Sequence, residues 1–157
     1  MALTLAEAAF AKKRDLVRKM LADSVPVDSN EAPHHRTALH CAVMVNDLEM
    51  VNMLLAGGAN ADAADFVGDR PIHFAPQHKV RLPVLDRLLE HAPHLVNRAG
   101  AIGRTPLHVA VDLKCAEAIE RLLAAGADPS IKDATGKIPI ERAETAKIRK
   151  LLAKMRP

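Results

Sequence analysis

Apolar and polar positions along this chain repeat with a period close to 33 residues. Each copy of a short box has an inward-facing Leu or Ile, with an Ala three positions later. The inward positions are Leu39, Ile72, Leu107 and Ile140, separated by 33, 35 and 33 residues. A weaker copy lies 34 residues before Leu39, at Leu5. A fixed period of this length predicts a stack of small repeated units.

A second apolar signature follows each box and predicts a second helix in every repeat. One apolar residue is followed by two more after three and four positions, which places all three on one helical face. The sets are Val17/Met20/Leu21, Val51/Leu54/Leu55, Leu85/Leu88/Leu89, Ile119/Leu122/Leu123 and Ile148/Leu151/Leu152. A glycine near the end of the helix, as in Gly57-Gly58 or Gly126, predicts its stop. A hairpin-like link then leads into the next box.

The most complete box is Gly103-Arg104-Thr105-Pro106-Leu107-His108-Val109-Ala110. Thr105 is expected to cap the helix, and Pro106 suits its first turn. Box, helix face and glycine stop together resemble the ankyrin repeat. The resemblance implies an all-α ankyrin-repeat solenoid of stacked helix-turn-helix units joined by β-hairpin-like loops. It further implies a single domain over residues 1–157, with approximate repeats at 1–31, 32–64, 65–99, 100–132 and 133–157, the first and last being degenerate caps.

The third repeat departs from this pattern. Pro76 lies inside its expected first helix, where it removes a backbone hydrogen bond, so this helix is predicted to be short. Pro83 is predicted to open the second helix. Arg70 replaces the capping threonine there, and Ile138 replaces it in the last repeat, which predicts weaker junctions. The irregularity is either a local adaptation or sequence drift.

Composition favours a globular protein of 157 residues, with 49% hydrophobic and 26% charged residues. No apolar run approaches the ~18 residues of a membrane-spanning helix. The first ten residues lack the features of a secretory signal. Two cysteines in separate predicted helices indicate reduced thiols. We therefore expect a cytoplasmic protein without membrane insertion, with the nucleus and export as an effector left open.

Candidate chemistry is sparse, and the sequence predicts no enzyme, no cofactor and no metal site. His40, His73 and His108 occupy the same box position in different repeats, so they cannot converge on one ion. In the ankyrin family this histidine usually bonds the backbone between repeats. Cys41 follows His40 directly, but neighbours on a helix point in different directions. A catalytic Cys41 is therefore a minor alternative to a packing role.

The resemblance also implies a partner-binding surface made of hairpin tips and the exposed ends of the first helices. Apolar side chains are unusual in turns, and with arginines beside them they are typical of protein contacts. An alternative is that Phe66 and Ile102 pack against neighbouring hairpins. The predicted protein-binding residues are Arg36, Met44, Val45, Phe66, Val67, Asp69, His78, Ile102, Arg104, Asp112, Leu113 and Lys137.

These observations predict a non-enzymatic, monomeric protein-protein interaction module: an adaptor, scaffold or inhibitor. A different class remains open, because basic residues cluster at both ends of the chain, in residues 12–19 and 147–156. Such clusters could bind an anionic surface or a nucleic acid. The net charge of only +3 and the scarcity of aromatic side chains argue against this alternative.

Overall fold

The computed structural model describes residues 3–30, 34–77 and 82–154. Within those ranges the regular structure is helical and no β-strand is present, which confirms the predicted all-α class. The chain divides into two compact units, residues 1–75 and 76–157, and each is described by itself. The prediction of one domain over residues 1–157 stays a prediction.

The first unit contains two complete helix pairs and the first helix of a third. Helices α1 and α2 form the first pair, α3 and α4 the second, and α1, α3 and α5 pack side by side. Their bounds are Leu5–Phe10 for α1, Arg14–Ala22 for α2, Ala38–Met44 for α3, Leu48–Ala56 for α4 and Pro71–Phe74 for α5.

The core of the first unit consists of the repeated apolar positions. Leu5, Leu39 and Ile72 are at most 1% exposed, so the inward position of each box lies where the period predicted. The second-helix residues Val51 and Leu54 are also fully buried, on helix α4, which packs against α3. No single helix pair could cover these side chains, so stacking of neighbours creates the core.

The second unit repeats this arrangement. Helix α6 packs against α8, α7 against both α8 and α9, and α9 against α10. The bounds are Leu82–His91 for α6, Pro106–Asp112 for α7, Ala116–Ala124 for α8, Pro139–Arg142 for α9 and Ala146–Lys154 for α10. Single 3-10 turns connect them at Pro93–Asn97 and Ala101–Gly103.

Leu107, Ile119 and Leu122 form the core of the second unit and are fully buried. Ile140 differs from its counterparts, because it is only partly buried. Its helix α9 has four residues, and Ile148 of α10 supplies the buried side chain at 2% exposure. The expectation of a fully inward position holds for the inner boxes and only in part for the last one.

The prolines act on the third repeat as predicted. Helix α5 stops after Phe74 and continues as a 3-10 turn over Ala75–Gln77, because Pro76 has no N–H to extend it. Pro83 is the second residue of α6. The Arg70 junction keeps a capping bond, in which the Arg70 backbone N–H donates to Nδ1 of His73 at 3.1 Å.

Candidate protein-interaction surface

The hairpin tip of residues 65–70 presents two apolar side chains to solvent. Asp65 shapes it, because its Oδ1 accepts hydrogen bonds from the backbone N–H groups of Val67 and Asp69 at 3.1 and 3.0 Å. The Asp65 N–H donates to the Asp69 carbonyl at 2.8 Å and closes the turn. Phe66 and Val67 are left 72% and 53% exposed. The alternative considered above was packing of Phe66 against a neighbouring hairpin. Its backbone does contact one, because the Phe66 N–H donates to the His34 carbonyl at 2.9 Å, but most of its side chain stays exposed.

Arg36 lies beside this tip and is held in place by two groups, Asp65 and the Phe74 ring. Its Nε is 3.3 Å from Oδ2 of Asp65, and its guanidinium lies over the Phe74 ring, 5.1 Å from the centroid. The Phe74 ring in turn meets His40 edge-on at 6.0 Å. With its side chain only 27% exposed, Arg36 supports the tip and offers a limited contact area.

The ends of the first helices supply the other apolar side chains of the first unit. Met44 and Val45 are partly exposed at the end of α3. Phe10, which the sequence prediction omitted, is 56% exposed at the end of α1. It follows Leu5 by five residues, as Met44 follows Leu39, so the repeat period could have identified it.

The tip of residues 100–104 in the second unit has a different backbone. Gly100 occupies the place of Asp65 and has no side chain that could accept the backbone N–H groups of this tip. The Arg104 N–H donates to the Ala101 carbonyl instead, at 3.1 Å. Ile102 consequently adopts a left-handed conformation, with φ 56° and ψ 31°, and is 58% exposed. This conformation is strained for a β-branched residue.

An ion-pair network connects this tip to the end of α7. Nη1 of Arg104 lies 3.4 Å from Oδ2 of Asp112. Arg142 binds Asp112 through two bonds of 2.8 and 2.9 Å and also reaches Asp133 at 2.9 Å. Leu113, directly after Asp112, is 45% exposed.

Asp133 shapes the next tip as Asp65 does. Its Oδ1 accepts bonds from the Thr135 hydroxyl and from the backbone N–H groups of Thr135 and Lys137. The Thr135 hydroxyl and these N–H groups, with the Arg142 charge, hold the pKa of Asp133 far below its usual range. The Lys137 side chain projects from this tip and is exposed.

The box histidines hold repeats together and are not poised for chemistry. Nδ1 of His40 accepts the Thr37 backbone N–H at 3.2 Å, so Nε2 carries the proton and donates to the Asp69 carbonyl at 3.1 Å. His108 does the same with Thr105 and Lys137. Burial lowers the pKa of both histidines against the smaller opposing effect of these carbonyl bonds.

Cys41 is buried, and burial raises the pKa of its thiol. A protonated, covered thiol is a poor nucleophile. Among the described residues no group of three or more His, Cys, Asp or Glu side chains is arranged to hold a metal ion. In the same ranges, none of the helices combines the length and apolar character needed to cross a membrane.

The structure places the predicted residues in two sets. The first unit contains Arg36, Met44, Val45, Phe66, Val67 and Asp69, and the second contains Ile102, Arg104, Asp112, Leu113 and Lys137. His78 lies outside the described residues.

Part of the N-terminal basic cluster is neutralised, since Arg14 pairs with Asp47 and Glu49, and Arg18 with Asp15.

Comparison with known proteins agrees with this geometry. The family model described as Ankyrin repeat matches residues 34–66 and 102–134. This chain is an ankyrin-repeat protein. The two matches begin in corresponding hairpins and run through both helices of the repeat, and the described helices extend the same pattern to the remaining boxes.

Related ankyrin-repeat sequences occur in proteins with very different names. The human transient receptor potential cation channel subfamily A member 1 is 35% identical over 82% of this chain and 12% of its own length. The mouse B-cell lymphoma 3 protein homolog is 36% identical over 67% of this chain and 24% of its own. A BTB/POZ domain and ankyrin repeat-containing protein of Oryza sativa is 33% identical over 69% and 21%. This chain spans at most about a quarter of these relatives, so the similarity concerns the repeats.

Proposed function

We propose that this ankyrin-repeat protein is a non-enzymatic interaction module whose hairpin tips and first-helix ends bind a partner protein. Ankyrin repeats are in general protein-protein interaction modules. The observation that supports the proposal here is the exposure of large apolar side chains at turns. Phe66, Val67, Ile102 and Leu113 are between 45% and 72% exposed, in positions where soluble proteins normally place polar residues.

The surroundings of these side chains suit a protein partner. Arginine and apolar residues are enriched at the centre of protein interfaces. Arg36 and Arg104 are both partly exposed beside an apolar tip and anchored by carboxylates, so each is already ordered before a partner arrives. Ordering in advance reduces the entropic cost of binding. A role as adaptor, scaffold or inhibitor in the cytoplasm remains part of the proposal.

The test compares partner binding by the wild-type chain, Phe66→Ala and Ile102→Ala. Each tagged chain is used to capture proteins from a lysate, and the affinity of a captured protein is then measured with purified components. Loss of a contact at the centre of an interface weakens binding by roughly 1 kcal/mol or more. At least one of the two variants should show this loss.

Leu48→Ala is the matched control. Leu48 is also a large exposed hydrophobic residue, at 37%, but it begins α4 and lies outside the proposed surface. It should leave the affinity unchanged. Equal affinities for all four proteins would contradict the proposed surface.

A further inference from the structure

The two units carry opposite net charge. Residues 1–75 contain seven lysines and arginines against ten aspartates and glutamates, a net charge of −3. Residues 76–157 contain fifteen against nine, a net charge of +6. The modest total of +3 therefore hides a distinctly cationic second unit. A surface in this unit attracts acidic partners over long range.

The local charges at the tips of the second unit also favour an acidic partner. The carboxylates of Asp112 and Asp133 both form ion pairs with Arg142, and Asp112 also forms one with Arg104. These acids are compensated before any ligand arrives. Lys137 adds an exposed positive charge. Its bonds to His108 and Asp133 use its backbone carbonyl and N–H, and within the described ranges its ammonium group makes no ion pair. The apolar tip is therefore bordered by net positive charge.

Ile102 is the apolar centre of this surface, and its backbone is held firmly. The Ile102 carbonyl accepts the Ala134 N–H at 2.9 Å, which ties the two tips together. Gly103, at φ 68°, allows this approach, because a Cβ there would lie 2.9 Å from the Ala134 nitrogen. The Gly100 N–H donates to the Arg104 carbonyl at 2.8 Å and closes the turn. Strain that its surroundings enforce at an exposed side chain suggests a functional position.

We infer that the tip surface of the second unit, built around Ile102 and bordered by Lys137, binds an acidic protein segment through an apolar side chain next to a carboxylate. This deepens the proposed function and rests on it. The apolar side chain would contact Ile102 and the exposed Leu113, and the carboxylate would contact Lys137.

A protein segment fits this surface better than a nucleic acid does. Proteins that bind single strands stack the bases on aromatic side chains. The three phenylalanines, Phe10, Phe66 and Phe74, all precede residue 76, and the chain has no tyrosine or tryptophan. The second unit thus offers positive charge with aliphatic contacts, which matches an acidic peptide with an apolar anchor.

The experiment selects ligands from a random dodecapeptide library displayed on phage, with the full chain immobilised. Enriched peptides should be acidic and contain an aliphatic or aromatic residue near an Asp or Glu. A synthetic copy of an enriched peptide is then titrated by fluorescence anisotropy. Replacing its acidic residues by lysine should abolish binding, and raising the salt concentration should weaken it.

Two variants test the assigned residues. Ile102→Asn should weaken the peptide by about tenfold, although Asn suits the left-handed backbone and the protein stays folded. Lys137→Glu should weaken it by about threefold or more. Lys147→Glu is the charge-matched control, since it lowers the net charge of the unit equally but lies on α10, outside the tips. It should have a clearly smaller effect.

Each contrary result has a distinct meaning. Neutral or basic peptides among those enriched, or equal effects of Lys137→Glu and Lys147→Glu, would overturn this inference while leaving a protein-binding function standing. Failure to enrich any peptide above the bare support would overturn both. Tighter binding of a mixed-sequence single-stranded RNA than of the peptide, lost in Lys137→Glu, would overturn the inference in favour of nucleic acid.

Discussion

Replacing Ile102 by Asn should stabilise the protein, which is the opposite of the usual effect of removing an apolar side chain. Ile102 is at φ 56° and ψ 31°, a region that costs a non-glycine residue about 1–3 kcal/mol and that Asn adopts more readily. The opposing effect is loss of partial burial. Full burial of an Ile is worth about 1.5–3 kcal/mol, and this side chain is 58% exposed.

The strain should outweigh the lost burial. Because less than half of the Ile102 side chain is buried, its loss costs about 1 kcal/mol of burial energy. Relief of the backbone strain should exceed this cost, so the free energy of unfolding should rise by roughly 1 kcal/mol. In a chain of this length that raises Tm by about 2–4 °C. Urea unfolding followed by circular dichroism, together with a thermal scan, measures both quantities.

Val67→Asn is the matched control for stability. Val67 is at the equivalent tip position, three residues before its box begins at Arg70, and is similarly exposed, at 53%. Its backbone is not left-handed, so Asn relieves nothing there and should lower stability slightly. If Ile102→Asn destabilises the protein as much as Val67→Asn does, the strain argument is wrong.

Two further predictions concern stability. Burial lowers the pKa of His40 and His108 in the folded protein, so as the pH falls these histidines are protonated in the unfolded chain before they are protonated in the folded one. The free energy of unfolding should therefore be highest above about pH 6.5 and should fall as the pH drops toward the folded pKa values. Urea unfolding at pH 7.5 and 5.0 should show this fall, and NMR titration should place both histidines below 6.5; unchanged stability with normal titration would refute it. Arg14→Met should leave the buried Asp47 carboxylate without its cation, which costs about 1–3 kcal/mol. Arg18→Met on the same helix removes only exposed ion pairs, with Asp15 and, at 3.9 Å, with Glu49, and should cost under about 0.5 kcal/mol. Equal losses for the two variants would count against a special role for Asp47.

The repeat period predicted most of the fold because it reports directly on burial. Leu39, Ile72 and Leu107 share a role in their repeats, and all are fully buried. The effect of Pro76 was also predictable, since a missing N–H acts locally. Ile140 shows the limit, because the pattern could not show how its four-residue helix would pack at the end of the stack.

The candidate surface was less accessible to sequence reasoning. Its residues were predicted from the family, but the pairing of Asp112 with Arg142 depends on side-chain conformations across 30 residues. The strain at Ile102 had a visible cause in Gly100, which stands where two other tips have Asp65 and Asp133. The sequence alone could not show this cause, because the structure is needed to show that Asp65 accepts the backbone N–H groups of Val67 and Asp69.

Hydrogen-deuterium exchange of the full chain, with and without a peptide enriched as described, tests most directly whether the tips bind protein. We predict slower exchange in residues 100–105 and 133–138 of the bound protein, where the two tips of the second unit meet. Slower exchange confined to the second helices α8 and α10, with the tips unchanged, would contradict the account.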